Sequence, residues 1–238
     1  MSKQKAALSS PFQENLAELA GNLTMYLHKT KQIPQKVFTG PSLYFHQEAI
    51  KEISKNFLGK RHREMIYAVL TSWGMHRMGN NKVKLKSFGN FEREIDKVAD
   101  GLKMLKRESI SSICDVEKIV ELIFDIHVSE SNSYIVSSTK MLHHILPELV
   151  APIDRAYSIR FMKQKSEVFD TSTIQLSSQK HEKELAGEFL TEMKSFIKKF
   201  GNKMKRDNCF NTSLPKIFDN LIVAFVRDKR GDSVGEDE

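Results

Sequence analysis

The segment LAGEFLTEMKSFIKKFG, residues 185–201, decides how this chain is expected to fold. Its apolar side chains recur three or four positions apart, which places them on one face of an α-helix. They are Leu185, Phe189, Met193, Phe196, Ile197 and Phe200. Gly201 follows the last of them and is a typical residue at a helix C-terminus. The segment predicts a long amphipathic helix that packs one face against a core.

The same helical spacing of apolar residues recurs along most of the chain. Ser10 and Pro11 have the pattern of a capped helix start, and Ser213 with Pro215 repeats it near the C-terminus. Helices are predicted over 11–28, 43–57, 61–73, 91–105, 112–126, 138–146 and 185–200, and from 154 and 213 onward. The sequence therefore predicts an all-α globular bundle of about eight or nine helices.

Three segments depart from this helical pattern. Residues 82–86 alternate with period two and predict a short strand or an extended segment. The Thr/Ser-rich loop 170–178 suggests a boundary between a main helical domain, 1–170, and C-terminal helices, 171–238, that pack on it or form a single domain with it. The charged tail, 229–238, is predicted to be disordered.

Composition narrows the class of protein. The formal charge of +7 and a pI near 9.2 favour an acidic partner, nucleic acid first, although an acidic protein or simple solubility would also explain the charge. The two cysteines lack the spacing of a disulfide framework or a zinc site, which fits a reducing compartment. The longest apolar run, 221–226, is too short to cross a bilayer, so we expect a cytoplasmic protein with no membrane partner.

Residues 137–155, SSTKMLHHILPELVAPIDR, hold the candidate chemistry. Lys140 is expected near the start of one helix and Asp154 at the N-cap of the next, so the turn between the helices could bring them face to face. A desolvated lysine amine attacks electrophilic carbon, and a nearby carboxylate moves protons or stabilises positive charge. The pair is therefore a candidate catalytic site.

This segment, over residues 136–160, resembles the helix-hairpin-helix DNA glycosylase superfamily, especially its 8-oxoguanine branch. The matching positions are Lys140, His144, Leu146, Ile153, Asp154 and Arg155. The resemblance implies a DNA glycosylase or abasic-site lyase without a cofactor, acting on DNA rather than RNA. In it Lys140 would be the Schiff-base nucleophile at the sugar C1′, and Asp154 its partner. Val136 and Ser138 stand where the family's hairpin has glycines, and the spacing from lysine to aspartate is shorter than usual.

A plain structural interpretation of the same residues stays open. Asp154 follows a proline turn and suits a helix N-cap, which contributes about 0.5 to 2 kcal/mol without any catalysis. Lys140 would then be a solvated residue on a helix whose other side is core. In that case the chain is a non-catalytic helical module that binds another protein.

Basic clusters around this segment are candidate nucleic-acid contacts. In the extended segment 82–86, alternation puts Lys82, Lys84 and Lys86 on one side. This row of ammonium groups matches a row of phosphates, or it protects an exposed strand edge against aggregation. Trp73 precedes a glycine-containing loop, 74–81. Its ring could stack on a base, or it could continue the buried face of its helix. The predicted contacts are Lys60, Arg61, Arg63, Arg77, Lys82, Lys84, Lys86, His144 and Arg155.

No metal site is predicted. His143 and His144 are adjacent, so their side chains should diverge by about 100° around a helix and not share one ion. At most one of them could join Asp125 or His127.

Overall fold

The computed structural model describes residues 10–33, 39–75, 85–131, 133–170, 172, 174–176, 178–207 and 209–232. Within them the fold is all-α, which confirms the prediction, with 11 α-helices and no sheet. The helices are α1 Pro11–Gly21, α2 Leu23–Thr30, α3 Pro41–Lys55, α4 Lys60–Ser72, α5 Phe88–Lys97, α6 Ala99–Leu105, α7 Glu117–Asp125, α8 Ile135–His143, α9 Ser158–Lys163, α10 Gln179–Phe200 and α11 Leu214–Lys229. Short 3₁₀ turns lie at Ser166–Val168 and Gly201–Lys203.

Serine caps begin three of the helices. The hydroxyl oxygens of Ser10, Ser178 and Ser213 each accept a hydrogen bond from the backbone amide three residues later, at 3.2 to 3.3 Å. α1 and α11 also have a proline in the first turn. Backbone amides in the first turn have no partner within the helix, so the missing N–H of proline costs nothing there. Gly74 takes a φ of +85°, a left-handed conformation just after the end of α4.

The helix count exceeds the prediction because two continuous apolar stripes are broken in the backbone. The predicted helix 11–28 breaks at Asn22, whose side-chain amide donates to the carbonyl of Glu18 at 3.1 Å. The predicted helix 91–105 breaks at Val98, where φ is −119° and ψ is 7°. Both breaks leave the apolar stripe facing the core, so periodicity alone does not reveal them.

Helix α11 lies at the centre of the fold. Every residue from 215 to 226 is buried, and the helix packs against α1, α2, α9 and α10. Phe218 contacts the rings of Phe189 and Phe196 on α10, and Phe225 contacts Phe161 on α9. The C-terminal helices therefore share one hydrophobic core with the helices before residue 170.

The segment predicted to be extended is extended at the end that the structure describes. Leu85 forms an antiparallel bridge with Ser129, and the Lys86 amide donates to the Val128 carbonyl at 2.9 Å, so the described end of 82–86 is extended. The tail predicted to be disordered begins at residue 229, and Lys229 is the last residue of α11. Residues 233–238 lie outside the described residues.

Among the helices described, none has the length and apolar character needed to span a bilayer.

Candidate active site

A pocket of about 250 Å³ brings Lys140 and Asp154 together. Its walls come from the start of α3, the end of α4, the second turn of α8, the turn before α9 and the first turns of α11. The lining residues are Ser42, Ser72, Trp73, Lys140, Pro152, Asp154, Lys216, Asp219 and Val223. The two residues predicted to act as a pair thus face one cavity.

Lys140 is half-buried in the second turn of α8, because this helix begins at Ile135, three residues before the predicted start. Its ammonium nitrogen lies 6.0 Å from the centre of the Trp73 ring, within the range of a cation–π interaction. A position inside a helix fixes the lysine backbone more firmly than a terminal position would.

Asp154 is both a helix cap and a wall of the pocket. Its Oδ1 accepts a hydrogen bond from the Tyr157 amide at 2.7 Å, and its own amide donates to the Ser158 hydroxyl at 3.3 Å. The cap begins a turn that leads into α9, which starts four residues later than predicted. Within the described part of the chain, the cap uses Oδ1 of Asp154, and Oδ2 receives no hydrogen bond.

Sequence reasoning missed a second lysine–aspartate pair in the same pocket. Lys216 is buried, and its ammonium donates to Asp219 Oδ2 at 2.6 Å and to Asn220 Oδ1 at 2.8 Å. Burial lowers the pKa of Lys216, partly offset by the negative charges of Asp219 and Asp154. Burial also raises the pKa of Asp219. The available signal was a lysine and an aspartate just before the longest apolar run of the sequence, residues 221–226.

The Trp73 ring lies between several groups of this site. The ammonium groups of Lys140 and Lys216 are 6.0 and 5.6 Å from its centre. His46 stacks on it with centres 5.7 Å apart, and His144 meets it edge-on at 4.9 Å. Trp73 is half-buried, so it packs against the core and also lines the pocket.

His144 lies behind the pocket rather than in it. Its side chain is fully buried, and its Nδ1 donates to the carbonyl oxygen of Lys140 at 2.8 Å. Burial lowers the pKa of His144 to about 3, so the ring is neutral at ordinary pH. As placed, it supports the backbone of Lys140 and presents no surface to a nucleic acid.

His143 and His144 do not diverge as predicted. Their ring centres are 5.1 Å apart, and both rings contact His46 from α3, with centres 5.7 and 5.2 Å away. His143 is the last residue of α8 and His144 follows it, where the chain begins to turn. The expectation of separate environments was therefore wrong, and His46 was not foreseen as a neighbour.

The predicted basic contacts lie elsewhere, and several are ion-paired. Arg61 contacts Glu52 at 3.1 Å, Arg63 contacts Asp96 at 2.6 Å, and Lys86 contacts Glu94 at 3.0 Å. Lys60 is exposed and lies 4.0 Å from Glu64. It is the first residue of α4, about 18 Å along the helix axis from Ser72, where α4 lines the pocket. Arg155 lines a different cleft. Arg77, Lys82 and Lys84 fall outside the described residues.

The N-terminus of α8 already holds an anionic group. The carboxylate of Glu182, on α10, accepts hydrogen bonds from the backbone amides of Tyr134 and Ile135 at 2.8 and 3.0 Å. Glu182 is buried. In the glycosylase resemblance this turn would offer its amides to a phosphate, but here Val136 and Ser138 replace the glycines and a side chain of the same chain occupies the amides.

Comparison with known proteins gives no relative for this site. No protein-family model matches the chain, and neither the curated proteins nor the solved structures include a match. The resemblance to helix-hairpin-helix glycosylases therefore stays a prediction, carried by the residues between 136 and 160.

Proposed function

We propose that this chain binds DNA and acts as a glycosylase or abasic-site lyase through Lys140 and Asp154. The observation that carries the proposal is that these two side chains, from separate segments, line one pocket with an aromatic ring beside them. An amine, a carboxylate and an aromatic surface are the groups that such a reaction on an extruded nucleotide needs.

The residues supply a balanced reaction. The amine of Lys140 attacks the sugar C1′ through its nitrogen lone pair, the bond from C1′ to the base breaks, and the base leaves with the bonding electrons and takes up a proton. The attacking nitrogen loses a proton, for which Oδ2 of Asp154, in the wall of the same pocket, is the proposed acceptor. The C1′–O4′ bond then breaks, O4′ takes the proton held by Asp154, and an iminium ion forms. Loss of a C2′ proton to the Asp154 carboxylate expels the 3′ phosphate and cleaves the strand. Asp154 stabilises the positive charge of the iminium ion.

Borohydride trapping tests this proposal. Reduction converts the iminium ion into a permanent crosslink between protein and DNA, so duplexes with an abasic site or 8-oxoguanine would be incubated with wild type and variants. We expect Lys140→Met to lower the crosslink yield at least about tenfold, and Lys103→Met, on an exposed surface of α6, to retain it. Far-UV circular dichroism would confirm that both variants are folded.

The pocket contains two amines, so a third variant is needed. If the crosslink persists in Lys140→Met but is lost in Lys216→Met, the reaction class stands and the nucleophile has been misassigned. If both variants crosslink as well as wild type, the lyase proposal is wrong.

A second candidate, a non-catalytic module that binds an acidic protein, draws on different observations. Several predicted DNA contacts are engaged by carboxylates, and Glu182 fills the N-terminus of α8. DNA binding measured by fluorescence anisotropy separates the two, because phosphate contacts weaken steeply between about 50 and 200 mM salt. Absence of binding at the lower salt concentration would favour the module.

A further inference from the structure

Three histidines form a closed cluster beneath the Trp73 ring. His46, His143 and His144 are each fully buried, and each offers a ring nitrogen within 4.8 Å of those of the other two. Two of them come from adjacent positions at the end of α8, and the third comes from α3, about a hundred residues earlier. The cluster is separate from the Lys140–Asp154 pair and does not depend on the function proposed for it.

The hydrogen bonds determine which nitrogen of each ring carries the proton. A carbonyl oxygen can only accept, so His143 Nδ1 must donate to Val150 at 2.8 Å, and His144 Nδ1 must donate to Lys140 at 2.8 Å. In a neutral ring the lone pair is then on Nε2. The Nε2 atom of His144 accepts from His46 Nδ1 at 3.0 Å, which places the lone pair of His46 on its own Nε2.

Two of these lone pairs have no partner. Within the described part of the chain, Nε2 of His46 and Nε2 of His143 are buried and receive no hydrogen bond. Buried nitrogen acceptors are normally satisfied, so two of them in one cluster point to a ligand that takes electron pairs. Burial lowers the pKa of both rings well below the usual value, so protons do not fill this role at neutral pH.

We propose that His46, His143 and His144 form a buried site for a transition-metal ion of the Zn²⁺ type. His46 and His143 bind through Nε2, and His144 completes the set by giving up its hydrogen bond to His46. Neutral imidazole suits zinc and its neighbours in the periodic table, whereas magnesium and calcium require oxygen ligands. A ring that binds through Nε2 while Nδ1–H donates to a backbone carbonyl, as in His143, has the usual second-shell support of a metal ligand.

The surroundings define the kind of site. The nearby ammonium of Lys216 opposes positive charge at all three rings, and its ion pair with Asp219 reduces this repulsion. The rings are closed off from solvent, and three histidines leave one position of a tetrahedral ion for a fourth ligand. A bound ion would join α3 to α8 and hold the backbone of Lys140 through His144.

Metal content after refolding tests the site. Because the rings are closed off, the full-length chain would be unfolded in urea with a chelator, refolded with excess Zn²⁺, desalted and analysed by mass spectrometry for bound metal. Wild type should retain about one zinc ion per chain, and its thermal midpoint should rise with zinc. His143→Gln and His46→Gln should each lose at least about nine-tenths of the metal, and His28→Gln, on the exposed side of α2, should keep it.

Cobalt provides a readout that does not require a folded variant. Wild type refolded with Co²⁺ should show the visible absorption of a nitrogen-coordinated ion, and added Zn²⁺ should abolish it. The proposal is overturned if wild type retains no zinc and gives no cobalt spectrum. It is also overturned if His46→Gln and His143→Gln retain as much zinc as His28→Gln.

Discussion

Lowering the pH from about 7.5 to about 5.0 should destabilise this protein, because it buries several histidines in their neutral form. Burial lowers the pKa of His46, His62, His143 and His144, in the case of His144 to about 3. In the unfolded chain each of these rings has the ordinary pKa of about 6.5. Below that pH the unfolded chain binds protons that the folded protein does not.

The sign and size of the effect follow from this difference in proton binding. The stability due to a neutral buried histidine is fully present above pH 6.5 and is lost as the pH falls toward the folded-state pKa. For His144 the free energy of unfolding should fall by about 2 kcal/mol between pH 7.5 and 5.0. The other three rings act in the same direction. Domains of ordinary stability have only about 5 to 15 kcal/mol, so the loss should be easy to measure.

Urea unfolding monitored by circular dichroism at constant ionic strength, with EDTA present to remove metal, would measure this effect. The slope of the unfolding free energy between pH 5 and 6 should approach about 1.4 kcal/mol per pH unit for each of His46, His143 and His144. His144→Gln should reduce the slope by about one such increment, while the exposed His28→Gln should leave it unchanged. An unfolding free energy that stays constant over this range would refute the reasoning.

Three further predictions concern buried polar contacts. Glu182→Gln should lower the unfolding free energy by about 1 to 3 kcal/mol, because the first amides of α8 lose a charged acceptor; an unchanged urea midpoint would contradict that role. Lys216→Met should lower the unfolding free energy by about 3 to 5 kcal/mol, because it leaves Asp219 buried without its partner. The double variant Lys216→Met with Asp219→Leu should lose much less. Equal losses of unfolding free energy in the single and double variants would argue against a buried pair. Asn15→Ala should cost about 1 to 3 kcal/mol because Asn15 donates to two carbonyls at the end of α9, and thermal unfolding without a shift would exclude this.

Much of the fold was predictable because its signals are local. The caps at Ser10 and Ser213 and the apolar face of α10 depend on residues only a few positions apart, so they can be read directly from the sequence. The breaks at Asn22 and Val98 could not, because the apolar spacing continues through both of them.

The candidate site was only half predictable. Lys140 and Asp154 lie 14 residues apart in one recognisable segment, which pointed to them as a pair. Lys216 and Asp219 look like an ordinary surface pair at i and i+3, and only the packing of α11 in the core makes them a buried charge pair. His46 reaches the cluster from α3 by a tertiary contact that no local pattern encodes.

The two interpretations of Asp154 do not exclude each other. Its cap uses Oδ1, and the bond to the Tyr157 amide holds the carboxylate at one place on the pocket wall. A carboxylate fixed in this way loses little freedom when charge develops beside it, which is the condition for effective electrostatic stabilisation. Lys140 is held similarly, because it lies inside α8 and its carbonyl accepts from His144. The contacts that make these residues structural therefore also preorganise them for the proposed chemistry.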